Sequence, residues 1–231
     1  MRRNTFDTFG NANGIAHGHQ REYDDNETII EYNRFENSSL LQGDAMCIQL
    51  NFNAYDSILR YNWFLDANKG SFRWDTPVGN NEGNLQDFGI CYRNVTFGGP
   101  DGEAKIKGDH HEVYHNTGKI ILRNDAVSNG TFNDSSVSKN NAVVDAYAWN
   151  ADINTGTYSN NWREDIAADQ FLSEQMVAPH FRDFRPVATS AWVDSGTLVS
   201  SLTINEYVPV NGIREGTPYN PVSSTHLRAH E

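Results

Sequence analysis

Four short stretches hold the residues best suited to chemistry: "GIAHGH" (14–19), "CIQLNF" (47–52), "SFRWDT" (71–76) and "KIKGDH" (105–110). Set one above another, they place Ile15, Ile48, Phe72 and Ile106 in one inward column. Strand alternation then turns Ala16, Gln49, Arg73 and Lys107 outward, followed two residues on by Gly18, Asn51, Asp75 and Asp109. Arg73 is expected beside Lys107 and Asp75 beside Asp109, with His19, Lys105 and His110 nearby. A guanidinium or ammonium can neutralise a uronate carboxylate and so acidify the adjacent C–H. A Lys, Arg or His can take the released proton. Arg73 and Lys107 are therefore candidates for lyase chemistry. Asp75 and Asp109 on neighbouring strands would lie near the short end of the roughly 5–9.5 Å used by paired carboxylates in glycoside hydrolysis, which keeps hydrolysis open. Gln49, Asn51, Lys105, His110 and His19 are the substrate-binding candidates. The competing reading is a self-neutralising ladder of solvated charges, in which diagonal Arg/Asp and Lys/Asp contacts offset like charges facing each other.

Metal chemistry has less support. His17 and His19 share a strand face and could chelate, and "DHHEVYH" adds Asp109, His110, His111 and His115, but spacing assigns no third ligand. No metal site is assigned. The acidic turn "DDNE" (24–27) could offer oxygen ligands to Ca²⁺. No cofactor is required; Ca²⁺ is possible. A Gly-rich phosphate loop and a Gly-x-Ser-x-Gly elbow are both missing.

The elements that must position these residues are written as a repeat. "IIEYNRF" (29–35), "ILRYNWF" (58–64), "GICYRNVTF" (89–97) and "HEVYHNTGKII" (111–121) align, with a weaker copy in "MRRNTF" and a doubtful one in "SVSKNNAVV" (136–144). Asn4, Asn33, Asn62, Asn94 and Asn116 mark the register, at spacings of 29, 29, 32 and 22 residues. Each unit alternates apolar and polar with period two, which is a strand signal. A unit of short strands cannot bury its apolar face alone and must stack on its neighbours. The expectation is an all-β, right-handed parallel β-helix over residues 1–145, with Tyr32, Tyr61, Tyr92 and Tyr114 in one column. In such a stack Asn can hydrogen-bond the Asn above it and tolerate a left-handed turn. A propeller or sandwich would also supply many short strands, but the uneven unit lengths favour the solenoid. Residues 146–231 read as an irregular loop and a closing segment packed on the same solenoid, with a short amphipathic helix over 164–176.

Composition narrows the partners. The chain has 231 residues and a formal charge of -12, which argues against a general nucleic-acid or anionic-membrane binder. It contains no apolar run long enough to span a bilayer and no apolar signal-peptide core after "MRRNTFDTFGNANG". Cys47 and Cys91 fall in different columns and are expected as free thiols, Cys91 aligning with Glu31 and Arg60.

The stretch "RDFRPVATSAWVDSG" (182–196) adds a resemblance. Asp183, Phe184, Arg185, Pro186, Ser190, Val193, Asp194 and Gly196 resemble the closing motif of secreted right-handed parallel β-helix repeat proteins, with Ala191 where that motif has Pro. The rungs "ILRYNWFLDANKGSFRWD" and "AKIKGDHHEVYHNTG" are similar to that family's rungs. The resemblance implies the pectin-lyase-like architecture, which hosts lyases, hydrolases, adhesins and tailspikes, so it does not settle function. It also implies an extracellular or cell-surface protein and a longer parent chain N-terminal to residue 1. The functional expectation is a carbohydrate-active protein that acts on or binds an acidic polysaccharide, by lyase rather than hydrolase chemistry. The alternative is a non-catalytic scaffold such as an adhesin or tailspike segment.

Overall fold

The structure, a computed structural model, describes residues 1–10, 14–18, 28–38, 40–41, 45–51, 57–75, 88–99, 103–108, 110–123, 135–143, 157–164 and 171–190. The strands follow one another in short rungs. The first rung holds β1 (Thr5–Phe9) and β2 (Ile15–Gly18). The second holds β3 (Thr28–Glu31), β4 (Arg34–Ser38) and β5 (Met46–Asn51). The third holds β6 (Ser57–Arg60), β7 (Trp63–Leu65) and β8 (Gly70–Asp75). The fourth holds β9 (Ile90–Tyr92), β10 (Val95–Phe97) and β11 (Glu103–Lys107). The fifth holds β12 (Glu112–Tyr114), β13 (Thr117–Gly118) and β14 (Ile120–Arg123). Two shorter rungs follow, β15 (Val137–Lys139) with β16 (Ala142–Val143), then β17 (Thr157–Ser159) with β18 (Trp162–Arg163). Strand pairing thus continues past residue 145.

The chain visits three parallel sheets in a constant order. The first sheet stacks β3-β6-β9-β12-β15-β17, the second β1-β4-β7-β10-β13-β16-β18, and the third β2-β5-β8-β11-β14. Inward residues of all three meet in one apolar cluster: Ile30, Leu59, Cys91 and Val113 from the first, Phe35, Phe64 and Val143 from the second, Ile48, Leu50, Phe72, Trp74 and Ile106 from the third. This is an all-β, solenoid-like stack of parallel sheets.

An asparagine ladder ties the rungs together. The backbone N–H and side-chain amide of Asn4 both donate to Oδ1 of Asn33, at 3.0 Å each. The pattern repeats from Asn33 to Asn62, Asn62 to Asn94, Asn94 to Asn116, Asn116 to Asn141 and Asn141 to Asn161. The second amide hydrogen reaches a strand carbonyl: that of Ile30 from Asn62, Leu59 from Asn94 and Cys91 from Asn116. Asn33, Asn62, Asn94, Asn116 and Asn141 are buried, so these bonds satisfy groups that water cannot reach.

Two expectations about the turn are corrected. The left-handed residue is the one before the ladder Asn: Arg3, Tyr32, Tyr61, Arg93, His115, Asn140 and Asn160 all have φ between 52° and 57°. The four tyrosines do not share a column either. Tyr32 and Tyr61 occupy the left-handed position and stack at 4.7 Å. Tyr92 and Tyr114 lie one residue earlier, in register with Arg60 and Lys139. No residue is inserted, because strand pairs and ladder steps keep one offset from rung to rung; the fourth and fifth units carry Tyr two places before the Asn (Tyr-Arg-Asn, Tyr-His-Asn) where the earlier two carry it one place before. The aromatic stack inside the rungs is instead Phe6–Phe35–Phe64, with centroids 4.7 and 5.2 Å apart.

The cysteines are free and buried. Cys91 pairs in register with Leu59, one position from the expected Arg60.

The C-terminal segment lies on the outer face of the second sheet. β19 (Met176–Ala178) and β20 (Asp183–Pro186) pair antiparallel. Phe184 is buried against Trp63 and Phe97, with centroids at 5.4 and 5.3 Å. Arg182 reaches from a left-handed turn to Asp66 at 2.6 Å and Glu36 at 3.4 Å. The Asp-Phe-Arg-Pro stretch is therefore a strap across the third and fourth rungs. The amphipathic helix expected over 164–176 is corrected: Leu172–Gln175 forms one 3₁₀ turn and Met176 begins β19, while 165–170 lie outside the described residues.

Candidate functional site

The candidate residues converge on the third sheet. Gln49 pairs in register with Arg73, and Arg73 with Lys105, not Lys107. Glu103 faces Gly70 while Lys105 faces Arg73, so three residues of β11 oppose four of β8. This bulge in β8 shifts the rest of the pair, and Ile106 packs beside Trp74 where Phe72 was expected. A bulge inserts one unpaired residue and displaces everything after it, which whole-rung alignment misses.

Burial corrects the expected solvated outward face. Gln49 and Arg73 are each only 8% exposed and Lys107 7%, so these three do not stand on a solvent-facing strip. Lys105 keeps partial exposure and makes an ion pair with Glu103 at 2.5 Å. Lys119 approaches the other oxygen of Glu103 at 3.8 Å. Glu103 thus offsets part of the repulsion between the neighbouring cations Arg73 and Lys105, a like-charge cost of about 0.2–1 kcal/mol on adjacent strands.

The other predicted residues scatter. Asn51 and Asp75 are register partners at the ends of β5 and β8, described at backbone level. His19 and Asp109 lie outside the described residues, as do the "DDNE" turn and the motif residues Val193, Asp194 and Gly196. His110 is exposed, left-handed, and stacked on Phe88 at 4.7 Å. Its neighbour His111 is fully buried and stacks on Trp74 at 4.7 Å. His111 Nδ1 accepts from the Gly89 N–H at 3.1 Å, and Nε2 lies 2.8 Å from the Lys107 carbonyl, which the Nε2–H tautomer satisfies. With both nitrogens engaged, His111 positions the end of β11 and is not available as a ligand. Among the described residues no group of three His, Cys, Asp or Glu could hold a metal ion.

Sequence reasoning missed a second polar face, on the outside of the first sheet. Arg60 donates to Glu31 at 2.7 Å and to the Tyr92 hydroxyl at 2.9 Å. Arg2 closes on Glu31 at 2.9 Å, and Arg93 donates to the Tyr61 hydroxyl. Arg2, Arg60 and Arg93 also lie over the rings of Tyr32, Tyr92 and Tyr61 at 5.1, 5.9 and 5.2 Å. Guanidinium groups over aromatic faces gain a cation–π attraction. The signal lay in the two residues before each ladder Asn, Arg2 to Arg3, Glu31 to Tyr32, Arg60 to Tyr61 and Tyr92 to Arg93.

With this geometry in hand, known proteins offer no guide. No protein family, curated protein or solved structure matches the chain. The chemistry must be argued from the third sheet itself, where β8 and β11 gather cations. No helix among the described residues is long and apolar enough to cross a membrane.

Proposed function

We propose that the chain is a right-handed parallel β-helix of pectin-lyase-like architecture, secreted to the cell surface or beyond, that binds an acidic polysaccharide along its third sheet. One observation carries this reading: Lys105 and Lys119 both approach Glu103, and Arg73 and Lys107 lie on the same pair of strands, β8 and β11, in a chain of net charge -12. A local cationic strip on an acidic protein attracts an anionic chain where the rest of the surface repels it. Lys105 is the partly exposed contact and Arg73 lies beside it. A guanidinium can take a uronate carboxylate in two parallel hydrogen bonds. Neutralising that carboxylate favours lyase chemistry, with Lys107 as the further cation. Hydrolysis by Asp75 and Asp109 is the less favoured chemistry, and Asp109 lies outside the described residues. Ca²⁺ would act as a bridge to the polysaccharide, with no catalytic role required.

The test is a panel of uronate, sulfated and neutral polysaccharides, with and without Ca²⁺. Binding is read by calorimetry and elimination by the absorbance of the unsaturated product. Uronate binding that Lys105→Ala weakens supports the reading, and absorbance growth adds the lyase. Absence of both leaves the non-catalytic scaffold, which the burial of Arg73 and Lys107 favours.

A further inference from the structure

One buried side chain, at the corner between the fourth and fifth rungs, fits its surroundings in a single protonation state. His111 is fully buried and lies flat on Trp74, with centroids 4.7 Å apart and planes 14° apart. Its Nδ1 receives the Gly89 N–H at 3.1 Å and so must carry a lone pair. Its Nε2 lies 2.8 Å from the Lys107 carbonyl oxygen and so must carry a hydrogen. Backbone groups cannot exchange these roles, and only the neutral Nε2–H ring meets both. The same residue ties four segments together. Gly89 leads into β9, Lys107 ends β11, Trp74 stands near the end of β8, and the Ser136 hydroxyl before β15 receives the His111 backbone N–H at 3.0 Å. Trp74 depends on this seat. Its buried indole N–H has no hydrogen-bond partner, and its ring occupies the room that Gly89 leaves, where a Cβ would come within 2.8 Å.

We propose that His111 is an acid-operated latch on this corner. A second proton can enter the ring only at Nδ1, where it meets the Gly89 N–H, donor against donor. The imidazolium therefore cannot keep the closed arrangement, and it forms by local opening, in which Gly89, Trp74 and the end of β11 part from the ring. The charged neighbours act on the charge of the ring without restoring that bond. Lys107, from β11, opposes a second positive charge. Glu112 favours it, from the outer face of the first sheet, since Val113 beside it points into the core. Ser136, before β15, is neutral, and His110 is exposed on Phe88. Asp75 follows Trp74 and is described at backbone level, and Asp109 lies outside the described residues. The closed corner takes only the neutral ring and the open one takes both forms. Each pH unit below about 6.5, the ordinary histidine value, therefore favours opening by up to about tenfold. The ladder side chains are amides and do not titrate, so the rungs stay stacked while the corner opens. Lys105 and Lys107 both stand on β11, so the latch also sets where those two cations lie.

The test is residue-resolved hydrogen exchange of the full chain from about pH 7.5 to about pH 5, across the ordinary histidine range, corrected for intrinsic exchange. Protection of the Gly89 amide, and of the Glu112 amide that donates to the Gly89 carbonyl, should fall by about tenfold per pH unit in the acid half of that range. The Val95 and Thr117 amides, which donate to the carbonyls of Asn62 and Asn94, should hold their protection. His111→Asn offers an Oδ1 in place of Nδ1 and cannot titrate, so its Gly89 protection should not depend on pH. Two-bond nitrogen spectra of the imidazoles give a second reading on the parent, in which residue 111 should remain the neutral Nε2–H tautomer wherever Gly89 is still protected. If the variant does not fold, these spectra and the exchange of the parent decide. The proposal is overturned by pH-independent protection of Gly89 in the parent, by equal loss at Val95 and Thr117, or by the same pH dependence in His111→Asn. An Nδ1–H or doubly protonated ring at residue 111 while Gly89 stays protected would overturn it too.

Discussion

Asn62 donates its backbone N–H and its side-chain amide to one oxygen of Asn94, at 3.0 and 3.1 Å, while its own Oδ1 receives the same pair from Asn33. Its remaining amide hydrogen goes to the Ile30 carbonyl at 2.8 Å. One fully buried side chain thus joins three consecutive rungs.

Asn62→Ala takes the acceptor from the Asn33 backbone N–H and side-chain amide and a donor from the Asn94 oxygen and the Ile30 carbonyl, while the residue-62 backbone N–H keeps its bond to Asn94. It should cost about 1–3 kcal/mol, the penalty for stranding buried polar groups. Asn62→Asp should cost more, because a carboxylate can accept from Asn33 but cannot donate to Asn94, and it buries a charge. Urea midpoints measure both; an unshifted midpoint for Asn62→Ala would show that the ladder is not a source of stability.

Phe184 is the anchor of the strap. Phe184→Ala removes a buried ring from between Trp63 and Phe97 and would cost about 3–5 kcal/mol if the segment stayed in place. Local detachment limits the loss to the stability of the strap itself. The expected result is faster proteolysis within 171–190 with the parallel sheets still protected from hydrogen exchange. Arg182→Ala, which loses half-exposed contacts to Asp66 and Glu36, should be milder.

Gly118 has φ of 117° and sits in the inward column below Thr96, where a Cβ would overlap the Thr96 carbonyl oxygen. Gly118→Ala should destabilise by about 1–3 kcal/mol through overpacking, with left-handed strain in addition. A melting temperature equal to the parent's would mean that β13 can shift away from β10.

Burial pushes the Cys47 thiol up to about 12 and raises Cys91 in the same direction. It also raises the Tyr61 and Tyr92 hydroxyls. In every case the unfolded chain ionises first. The stabilisation is complete below the unfolded thiol value, roughly 8.5, and is lost as pH rises towards the folded values. Urea midpoints should therefore fall from about pH 9 upward, and thiol reagents at neutral pH should label neither cysteine until denaturant is added. Rapid labelling of the native chain would contradict the buried placement.

The repeat was legible because a stack of parallel strands places chemically equal residues over one another. The recurring Asn after an aromatic-containing strand therefore announced the Asn ladder, and period-two alternation announced Ile48, Phe72 and Ile106 as core. The register was not legible everywhere. Aligning tyrosine on tyrosine misplaced Tyr92 and Tyr114, which stand two residues before their Asn and pair with Arg60 and Lys139, and the extra residue of β8 set Arg73 against Lys105 instead of Lys107. Such a bulge leaves the alternating pattern intact on each side, so only the pairing of strands reveals where it falls. Burial was likewise decided in three dimensions. Alternation correctly turned Gln49, Arg73 and Lys107 away from the apolar cluster, but whether that outer face meets water depends on what packs over it, which no local pattern encodes.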